Sequence, residues 1–558
     1  MPFSDSSGKG RGGLLDSRVL HWVGRPSGIA SIIWGFVYAL VWATGQSFST
    51  DYLRTGWQIV PFETLRDDPF GSVWYLHIQP PLWNLTLGVV GRWSPLPTAV
   101  SLQMLSMFLG VVLAGTLASL LARIGLQPRA SVTVAAVATL NPTVLKLAFD
   151  PQYELVTGVA LVLLLWVVSA PQSTKTVSTL VQVSVIGTGI VMTRSLFHPL
   201  WLVALLGPFS YAARGAVPGR KIAAAVLIPA IVIGGWTLKN EVLFGQPTLS
   251  SWTGMNLLRS VSPTFAHDDL ERLAASDDIS RIAVVGPFQS YDAYVGATSA
   301  CKPEHDHPAV SQAIRSTPVR SVFDGSESFI ANFNYECYLP IYKAAGEDAR
   351  TLAVEYPGHW LSGRLWSTRA WFGARIDFAT SPSPLMRTID RVYAVARLDV
   401  PLPQISMAGW DGANALKPIA RAPVSLVVLV CTLLVWGTGL QEVNRRLRHR
   451  SDGFPRGLVF VVASFVSGWA FVLGVVGELG EQARFRSMTD PFVVALGLAV
   501  GVHWIGEHFD RSWMFERAAS NADGARSGGV SAPQLERSRR RTPAGRQRRV
   551  LAPVFLRR

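Results

Sequence analysis

Charged residues are scarce in this chain of 558 amino acids. They make up 16% of it, whereas hydrophobic residues make up 49%. A chain so poor in charge and so rich in apolar residues is not expected to be a soluble globule. Apolar runs long enough to cross about 30 Å of hydrocarbon recur along it. The composition therefore predicts a polytopic α-helical membrane protein.

Cysteine is also scarce. Three cysteines are too few for a disulfide scaffold. Cys301 and Cys337 fall in one stretch that we place outside the membrane, where a disulfide bond can persist, so we expect them to pair. Cys431 lies inside an apolar run and is expected to be a small core residue.

Acidic residues are outnumbered by basic ones. The chain has 37 Asp and Glu against 51 Lys and Arg, which gives a formal net charge of +14. Such a surplus can indicate nucleic-acid binding, but these basic residues border the apolar runs on one side of the predicted membrane. The Arg-rich tail accompanies no folded nucleic-acid module, and its simpler interpretation is a topology anchor that touches anionic lipid. We therefore expect membrane lipid as a partner and no nucleic acid.

About ten transmembrane helices are predicted from the apolar runs. They lie at 27–47, 98–122, 128–145, 153–170, 177–193, 196–211, 222–239, 423–440, 457–477 and 489–507. Basic residues between them, such as Arg123, Arg214 and Arg448, fall on one face, so both termini are predicted to be cytoplasmic. The expected location is the cell inner (plasma) membrane, as a multi-pass protein.

Four parts follow from this pattern. They are an N-terminal membrane domain at 1–239 with a catalytic first outer loop, a mixed extracytoplasmic domain at 240–422, C-terminal membrane helices at 423–507 and a basic, disordered cytoplasmic tail at 508–558. The outer segment is too long for a simple connection and too polar to span, so we expect a domain of about 180 residues. The helices do not divide into two matched halves, as they do in many transporters.

Acidic residues collect at the outer edge of the predicted spans, and because ionisable groups are costly near hydrocarbon, such a cluster marks a candidate site. The candidates for a catalytic base are Asp51, Asp67, Asp68 and Asp150. Each has a plain structural alternative. Asp51 could be a solvated acid at a helix end. Asp67 and Asp68 precede a proline, where acids often shape a turn. Asp150 could cap a helix start.

Further candidates, for substrate binding, lie in the outer loops. The positive-inside tendency disfavours cations there, and a lipid phosphate would stabilise them through charge-assisted hydrogen bonds. The alternative for each cation is an ordinary ion pair with a nearby Glu or a lipid headgroup. The substrate-binding candidates are His77, Gln79, Glu154, Arg194, Lys239, Arg259, Arg484 and Arg486.

The sequence His305-Asp306-His307 looks like a pair of metal ligands. It lies in a loop between prolines with no third ligand in view, so we expect a solvated loop.

Four features of the chain together resemble the GT-C superfamily of integral membrane glycosyltransferases, which includes protein mannosyltransferases and the lipid A aminoarabinose transferase. They are Asp51 after the first helix, the Gln79-Pro80-Pro81-Leu82 step, the acid of the second outer loop (Asp150 or Glu154) and the run Arg484-Phe485-Arg486 before Asp490-Pro491. The resemblance reaches from the first span to the last. The chain departs from the family at Gln79, where protein mannosyltransferases carry His and the aminoarabinose transferase carries Lys.

The resemblance implies a specific reaction. A sugar on a polyprenyl phosphate is presented at the outer leaflet, a hydroxyl of a glycan or protein acceptor attacks its anomeric carbon, and the lipid phosphate departs. One carboxylate base suffices for this single displacement, provided that cations hold the leaving phosphate.

The resemblance also implies residue roles. Asp51 would be the base, assisted by Asp150 or Glu154, and Arg259, Arg484 and Arg486 would bind the phosphate. Some relatives use a divalent cation, so the resemblance leaves one open, although the sequence shows no convincing ligand set.

Two other functions remain open at the level of sequence. A membrane transporter or lipid flippase would also need basic groups near the bilayer. A catalytically inactive relative could instead act as a scaffold for an envelope assembly.

Overall fold

The computed structural model describes residues 25–170, 176–214, 216–320, 327–373, 382–401, 423–449, 455–479 and 481–509. The predicted disordered tail lies outside the described residues apart from its first two positions.

The described chain is built almost entirely of helices. From the N-terminus to the end of the first long outer segment they are α1 (Pro26–Ala43), α2 (Asp51–Thr55), α3 (Phe62–Asp67), α4 (Pro69–Trp74) and α5 (Pro81–Trp93). The next group contains α6 (Thr98–Arg123), α7 (Pro128–Thr139), α8 (Pro142–Leu147), α9 (Tyr153–Val168), α10 (Val177–Thr193), α11 (Pro199–Ala213) and α12 (Gly219–Phe244).

The second outer segment and the C-terminal part complete the order. They contain α13 (Thr253–Val261), α14 (His267–Ala275), α15 (Arg281–Val285), α16 (Pro308–Ser311), β1 (Ile314–Arg320), β2 (Glu327–Ala331), α17 (Tyr338–Glu355), α18 (Pro357–Trp371), α19 (Pro384–Ala396), β3 (Asp399–Val400), β4 (Val424–Ser425), α20 (Leu426–His449), α21 (Pro455–Val476), α22 (Gln482–Ser487) and α23 (Asp490–Phe509). The strands form two antiparallel pairs, β1 with β2 and β3 with β4.

Five described helices, α1, α6, α12, α20 and α21, are long and apolar enough to cross a membrane. Helices α9, α10 and α11 are apolar but shorter, and the apolar part of α23 is the stretch Asp490–Trp504. The predicted helical class is therefore confirmed, and the apolar helices are compatible with a membrane protein. Each range predicted as a span overlaps a helix, although the third range breaks at Asn141, whose side chain caps α8.

Proline sets many of the helix starts. It is the first residue of α1, α5, α11 and α21 among others, where its fixed φ suits the helix and its missing N–H costs nothing. This explains why α11 begins at Pro199, three residues later than the apolar run suggests.

The membrane helices share one apolar core. In it, Trp34 of α1 stacks on Tyr38, with ring centres 5.4 Å apart, and Tyr38 stacks on Phe149 at 4.4 Å. Gly110 of α6 lies against the Trp34 ring, where a Cβ atom would come within 2.0 Å of it. The glycine therefore permits the close contact between α1 and α6.

The outer segments share a second core. It joins residues of the first outer loop, such as Ile59 and Leu76, to residues of the predicted extracytoplasmic domain, such as Met255 and Tyr338. The first outer loop thus packs together with described residues between Trp252 and Leu352, whereas later residues such as Trp371 and Met386 belong to the core of the membrane helices. The boundary predicted at residue 239 falls inside α12.

Cys301 and Cys337 form a disulfide in this outer core, with their Cα atoms 5.7 Å apart. The predicted pairing is confirmed. The free Cys431 is buried among the membrane helices, as expected.

Two buried arginines connect the outer segments to the membrane helices. Arg364 of α18 donates to the carbonyl oxygens of Val475, Val476 and Ser260, which ties the end of α21 to α13. Arg486 of α22 donates to the carbonyl oxygen of Trp371. These bonds fix the position of the segment between α21 and α23.

Candidate functional site

A cavity of about 420 Å³ lies between the outer core and the membrane helices. Its walls come from four parts of the chain: the loop that follows α2, the segment that follows α10, helix α13, and the segment that runs from α21 to α22. The lining residues are Trp57, Gln58, Gln79, Tyr153, Arg194, Ser195, Leu196, His198, Leu200, Ser250, Trp252, Thr253, Asn256, Leu257, Arg259, Phe288, Trp469, Leu473, Val476, Gly477, Glu478, Glu481 and Phe485.

Membrane helices supply the apolar part of the cavity. Leu200 lies in the first turn of α11, and Trp469, Leu473 and Val476 lie on α21. The indole N–H of Trp469 donates to the carbonyl oxygen of Leu196 at 3.0 Å, which joins α21 to the segment before α11. This part of the cavity suits a hydrocarbon chain.

Aromatic and amide side chains from the outer core supply another part. Trp57 stacks on Phe288 with ring centres 5.2 Å apart, and Trp252 meets Phe288 edge-on at 5.3 Å. Gln58 and Asn256 lie among them on the cavity wall. Flat apolar faces next to amide donors and acceptors suit an uncharged polar ring such as a sugar.

A network of ion pairs lies beside the cavity. Glu154, in the first turn of α9, is fully buried. Its Oε1 is 3.0 Å from Nη1 of Arg194 and 2.7 Å from Nε of Arg484. Arg484 extends the network to Oε2 of Glu481 at 3.3 Å and to the hydroxyl of Tyr52 at 3.3 Å.

Arg259 completes this network. Its Nη1 is 3.3 Å from Oε1 of Glu478 and 3.8 Å from Oε1 of Glu481. Three arginines therefore meet three glutamates, and the network is formally neutral when all six are charged. Arg194, Arg259, Glu478 and Glu481 also line the cavity.

Arg194 is held by rings as well as by charge. Its guanidinium lies 4.3 Å from the centre of the Tyr153 ring and 4.5 Å from that of Phe485. Such stacking leaves the edge of the planar guanidinium for hydrogen bonds. Arg194 can therefore present donors toward the cavity while it keeps its pair with Glu154.

Two of the four candidate bases approach each other. The backbone N–H of Ser49 donates to the carbonyl of Phe149 at 2.9 Å, which places the segments of Asp51 and Asp150 side by side. Asp51 is exposed at the start of α2, whereas Asp150 is largely buried. Burial raises the pKa of Asp150 to about 6, against the lowering effects of Gln152 and Arg484, and Asp51 adds to the increase.

The hydrogen bonds of Asp150 are incomplete. Its Oδ2 accepts from the side chain of Gln152 at 2.8 Å. Its buried Oδ1 has no hydrogen-bond partner within the described part of the chain. A buried carboxylate oxygen of this kind is ready to accept a proton or a hydrogen bond from a ligand.

The other two candidate bases have structural partners. Asp68 caps α4, where its Oδ1 accepts from the backbone N–H of Gly71 at 2.9 Å. Asp67 is exposed and pairs with Arg66 at 3.2 Å. None of the four candidate bases lines the cavity, but Asp67 and Asp68 differ from Asp51 and Asp150 in that a surface ion pair and a helix cap account for them.

Two of the substrate-binding candidates hold backbone instead. His77 is fully buried between the hydroxyl of Ser251, at 2.7 Å, and the carbonyl of Asn334, at 3.0 Å. Burial lowers the pKa of His77 to about 3. Lys239 donates to the carbonyls of Trp74 and Leu76 at 2.9 and 2.8 Å.

Of the two remaining candidates, Gln79 faces the cavity and Arg486 does not. Gln79 lines the cavity, and its Oε1 accepts from the hydroxyl of Ser195 at 3.3 Å. Arg486 is buried against Asp490 at 3.0 Å and does not line the cavity. The structure thus favours Gln79, Arg194 and Arg259 as groups that can meet a ligand.

Metal-binding geometry is absent from the described residues, in which no cluster of three or more His, Cys, Asp or Glu side chains could hold an ion. His305 pairs with Glu336 at 3.1 Å, and His307 lies 3.5 Å from Asp68. Both imidazole rings also lie against the ring of Tyr75, with ring centres 5.3 and 5.0 Å away, and each meets a different carboxylate. The expected solvated loop is therefore a contact between the outer segments.

Several cavity residues were not candidates at the level of sequence. Trp57, Trp252 and Phe288 come from separate parts of the chain and meet only through the outer core. Glu481 had a local signal, since it precedes Arg484 by three residues and such pairs meet on a helix.

Comparisons with protein-family models, with curated proteins and with solved structures found no match to this chain.

Proposed function

We propose that this protein is a membrane glycosyltransferase that moves a sugar from a polyprenyl-phosphate donor to an acceptor hydroxyl at the outer face of the membrane. The observation that supports this most is the composition of the cavity. Walls from two apolar helices, two arginines and an aromatic and amide surface adjoin in one space. A polyprenyl-phosphate sugar has the three corresponding parts, a hydrocarbon tail, an anion and a polar ring.

The proposal includes the arrangement in the membrane. About ten helices cross the bilayer, both termini are cytoplasmic, and the outer core with its disulfide faces the extracytoplasmic side. The cavity then opens at the outer leaflet. There the hydrocarbon tail of the donor contacts α11 and α21 and extends into lipid, while its sugar faces the outer core.

The reaction is a single displacement. Arg194 and Arg259 hold the phosphate and stabilise the charge that develops on it as it leaves. Arg484 acts indirectly, since it positions Glu154 and Glu481. A carboxylate of the Asp51–Asp150 pair takes the proton of the acceptor hydroxyl, and the raised pKa of Asp150 suits a base that works near neutral pH.

A direct test uses purified protein in proteoliposomes with polyprenyl-phosphate hexoses and pentoses that are radiolabelled in the sugar. An extract of the cell envelope in which the protein is expressed supplies the acceptor hydroxyl groups. Labelled product that appears only with active protein supports the proposal. Translocation of the lipid without transfer of label would instead support a flippase.

The first prediction concerns Arg259. Arg259→Ala removes a charge-assisted contact with the phosphate, so we expect about a 10- to 100-fold loss in kcat/KM for the donor. The matched control is Arg272→Ala, because Arg272 lies exposed on α14. Equal transfer by wild type and Arg259→Ala would place the phosphate elsewhere.

A further inference from the structure

Arg259 is already occupied by carboxylates at the cavity wall. Its Nη1 lies 3.3 Å from Glu478 and 3.8 Å from Glu481. The side chain of Glu478 is only 5% exposed, and its Oε1 also accepts from the backbone N–H of Leu479 at 3.0 Å. A phosphate that binds Arg259 would therefore arrive next to a buried carboxylate that holds the same guanidinium.

Two anions beside one buried cation are unfavourable. In a medium of low effective dielectric constant their repulsion is strong, and a carboxylate that loses its cation is left charged and desolvated. The usual outcome is that the carboxylate takes up a proton. The partner that Glu478 would lose is Arg259.

We propose that Glu478 holds the position of the donor phosphate in the empty site and takes up one proton from solvent when the phosphate replaces it on Arg259. This inference rests on the proposed function. No covalent bond forms or breaks except the O–H bond on Glu478. The neutral carboxyl group keeps its hydrogen bond from Leu479, and the net charge of the site is unchanged because one proton accompanies one phosphodiester anion.

The neighbouring charges explain why Glu478 rather than Glu481 takes the proton. Glu481 pairs with Arg484 as well as with Arg259, so it keeps a cation when the phosphate binds. Arg194 and Arg364 also act on Glu478 from the segments packed beside it. Even so, burial raises the pKa of Glu478 to about 7; Arg259 opposes that rise, and the charge of Glu481 adds to it.

The probe that tests this inference is the methyl phosphodiester of farnesol. A diester has no second ionisation, so unlike a phosphate monoester it does not titrate near pH 6. Binding to the detergent-solubilised full chain is measured by calorimetry between about pH 5 and 9, in buffers with different ionisation enthalpies. The difference between buffers counts the protons taken up on binding.

The affinity for the diester is expected to fall as the pH rises, because the anion binds to the site in which Glu478 is protonated. Affinity should be nearly constant below about pH 6 and should fall up to tenfold per pH unit above about pH 7. Proton uptake should be close to zero in acid and should approach one proton near pH 8. Binding without proton uptake at every pH would overturn the inference.

Variants locate the proton. Glu478→Gln, which cannot titrate, should bind with little dependence on pH. The matched control is Glu347→Gln, because Glu347 is exposed on α17 and does not line the cavity, so this variant should keep the wild-type dependence. His198→Gln should keep it as well, because the proposal assigns the proton to Glu478 and not to this cavity histidine. If Glu478→Gln keeps the wild-type slope, Glu478 is not the group. If that variant does not fold, the proton count on wild type still decides.

The two proposals fail in different ways. Sugar transfer together with pH-independent binding would overturn the role of Glu478 and leave the glycosyltransferase in place. Binding with proton uptake but without any sugar transfer would support an anionic-lipid site and overturn the enzyme. Absence of binding at every pH would overturn both.

Discussion

At the scale of single residues, the identity of the base rests on a contrast between two neighbouring acids. Asp150 is buried, with one unpartnered carboxylate oxygen among the described residues, whereas Asp51 is exposed to solvent. A base with a pKa near the working pH combines a useful deprotonated fraction with basicity. These features favour Asp150 as the base over Asp51, the residue to which the resemblance assigns that role.

The prediction is that Asp150→Asn loses about 10²–10⁴-fold in kcat, the usual contribution of a general base. In wild type, kcat should rise with pH through about 6, because the pKa of Asp150 is raised to that value and the base must be deprotonated. Rates at saturating donor measure this. Asp51→Asn and Asp67→Asn are the controls. Loss of activity in Asp51→Asn alone would assign the base to Asp51.

The residue types in the outer loops indicated which side chains could bind a ligand. They did not indicate which of these side chains face the cavity and which bind the backbone. Glu154, Arg194 and Arg259 were candidates and meet at the cavity or beside it. His77 and Lys239 looked equally suitable, yet they bind backbone carbonyls of segments distant in sequence. Such partners depend on tertiary approach, which a single sequence does not reveal.

At the scale of elements, one buried arginine holds the loop that carries Trp57 and Gln58. Arg315 of β1 donates to the carbonyl oxygens of Arg54 at 2.7 Å, Gly56 at 2.6 Å and Ile59 at 2.8 Å. Within the loop itself, the backbone N–H of Ile59 donates to the carbonyl oxygen of Gly56 at 3.1 Å. Arg315 adds to this local turn the bonds that join the loop to β1. The shape of the aromatic part of the cavity therefore depends on the outer core.

The prediction is that Arg315→Ala lowers the free energy of unfolding by about 3 kcal/mol or more, since several hydrogen bonds to a charged group are lost. Trp57 and Gln58 should also lose their position, so KM for the donor should rise more than kcat falls. Thermal unfolding and steady-state kinetics measure the two effects.

Arg281→Ala is the matched control, because Arg281 is exposed at the start of α15. Arg315→Lys should recover part of the KM, because an ammonium group can still donate to some of these carbonyls. A normal KM in Arg315→Ala would show that the loop holds its shape without Arg315.

The elements themselves were largely predictable, because an apolar run of span length has few alternatives to a helix in hydrocarbon. The interruption at Asn141 and the late start of α11 depend on a capping side chain and a proline. The short outer helices, such as α3 and α22, were not predicted, since tertiary contacts and not sequence periodicity stabilise helices of six residues.

At the scale of the whole molecule, the orientation decides whether the cavity can serve a lipid-linked sugar at the outer leaflet. The outer core contains the Cys301–Cys337 disulfide, which is expected to persist only in an oxidising compartment. Leu200 lines the cavity from the first turn of α11, and the basic residue Arg214 follows the other end of that helix. The proposed function requires the cavity to lie on the extracytoplasmic side, and the disulfide is consistent with that orientation.

The last prediction is therefore topological. Reporter fusions at Arg214 and Arg448 should read cytoplasmic, and fusions near Pro69 and Ala345 should read external, because the basic connections set the orientation. Paired reporters that are active on opposite sides of the membrane serve as mutual controls. An external reading at Arg448 with a cytoplasmic reading at Ala345 would turn the cavity toward the cytoplasm. Transfer from a donor at the outer leaflet would then be ruled out, and the disulfide would lose the compartment that maintains it.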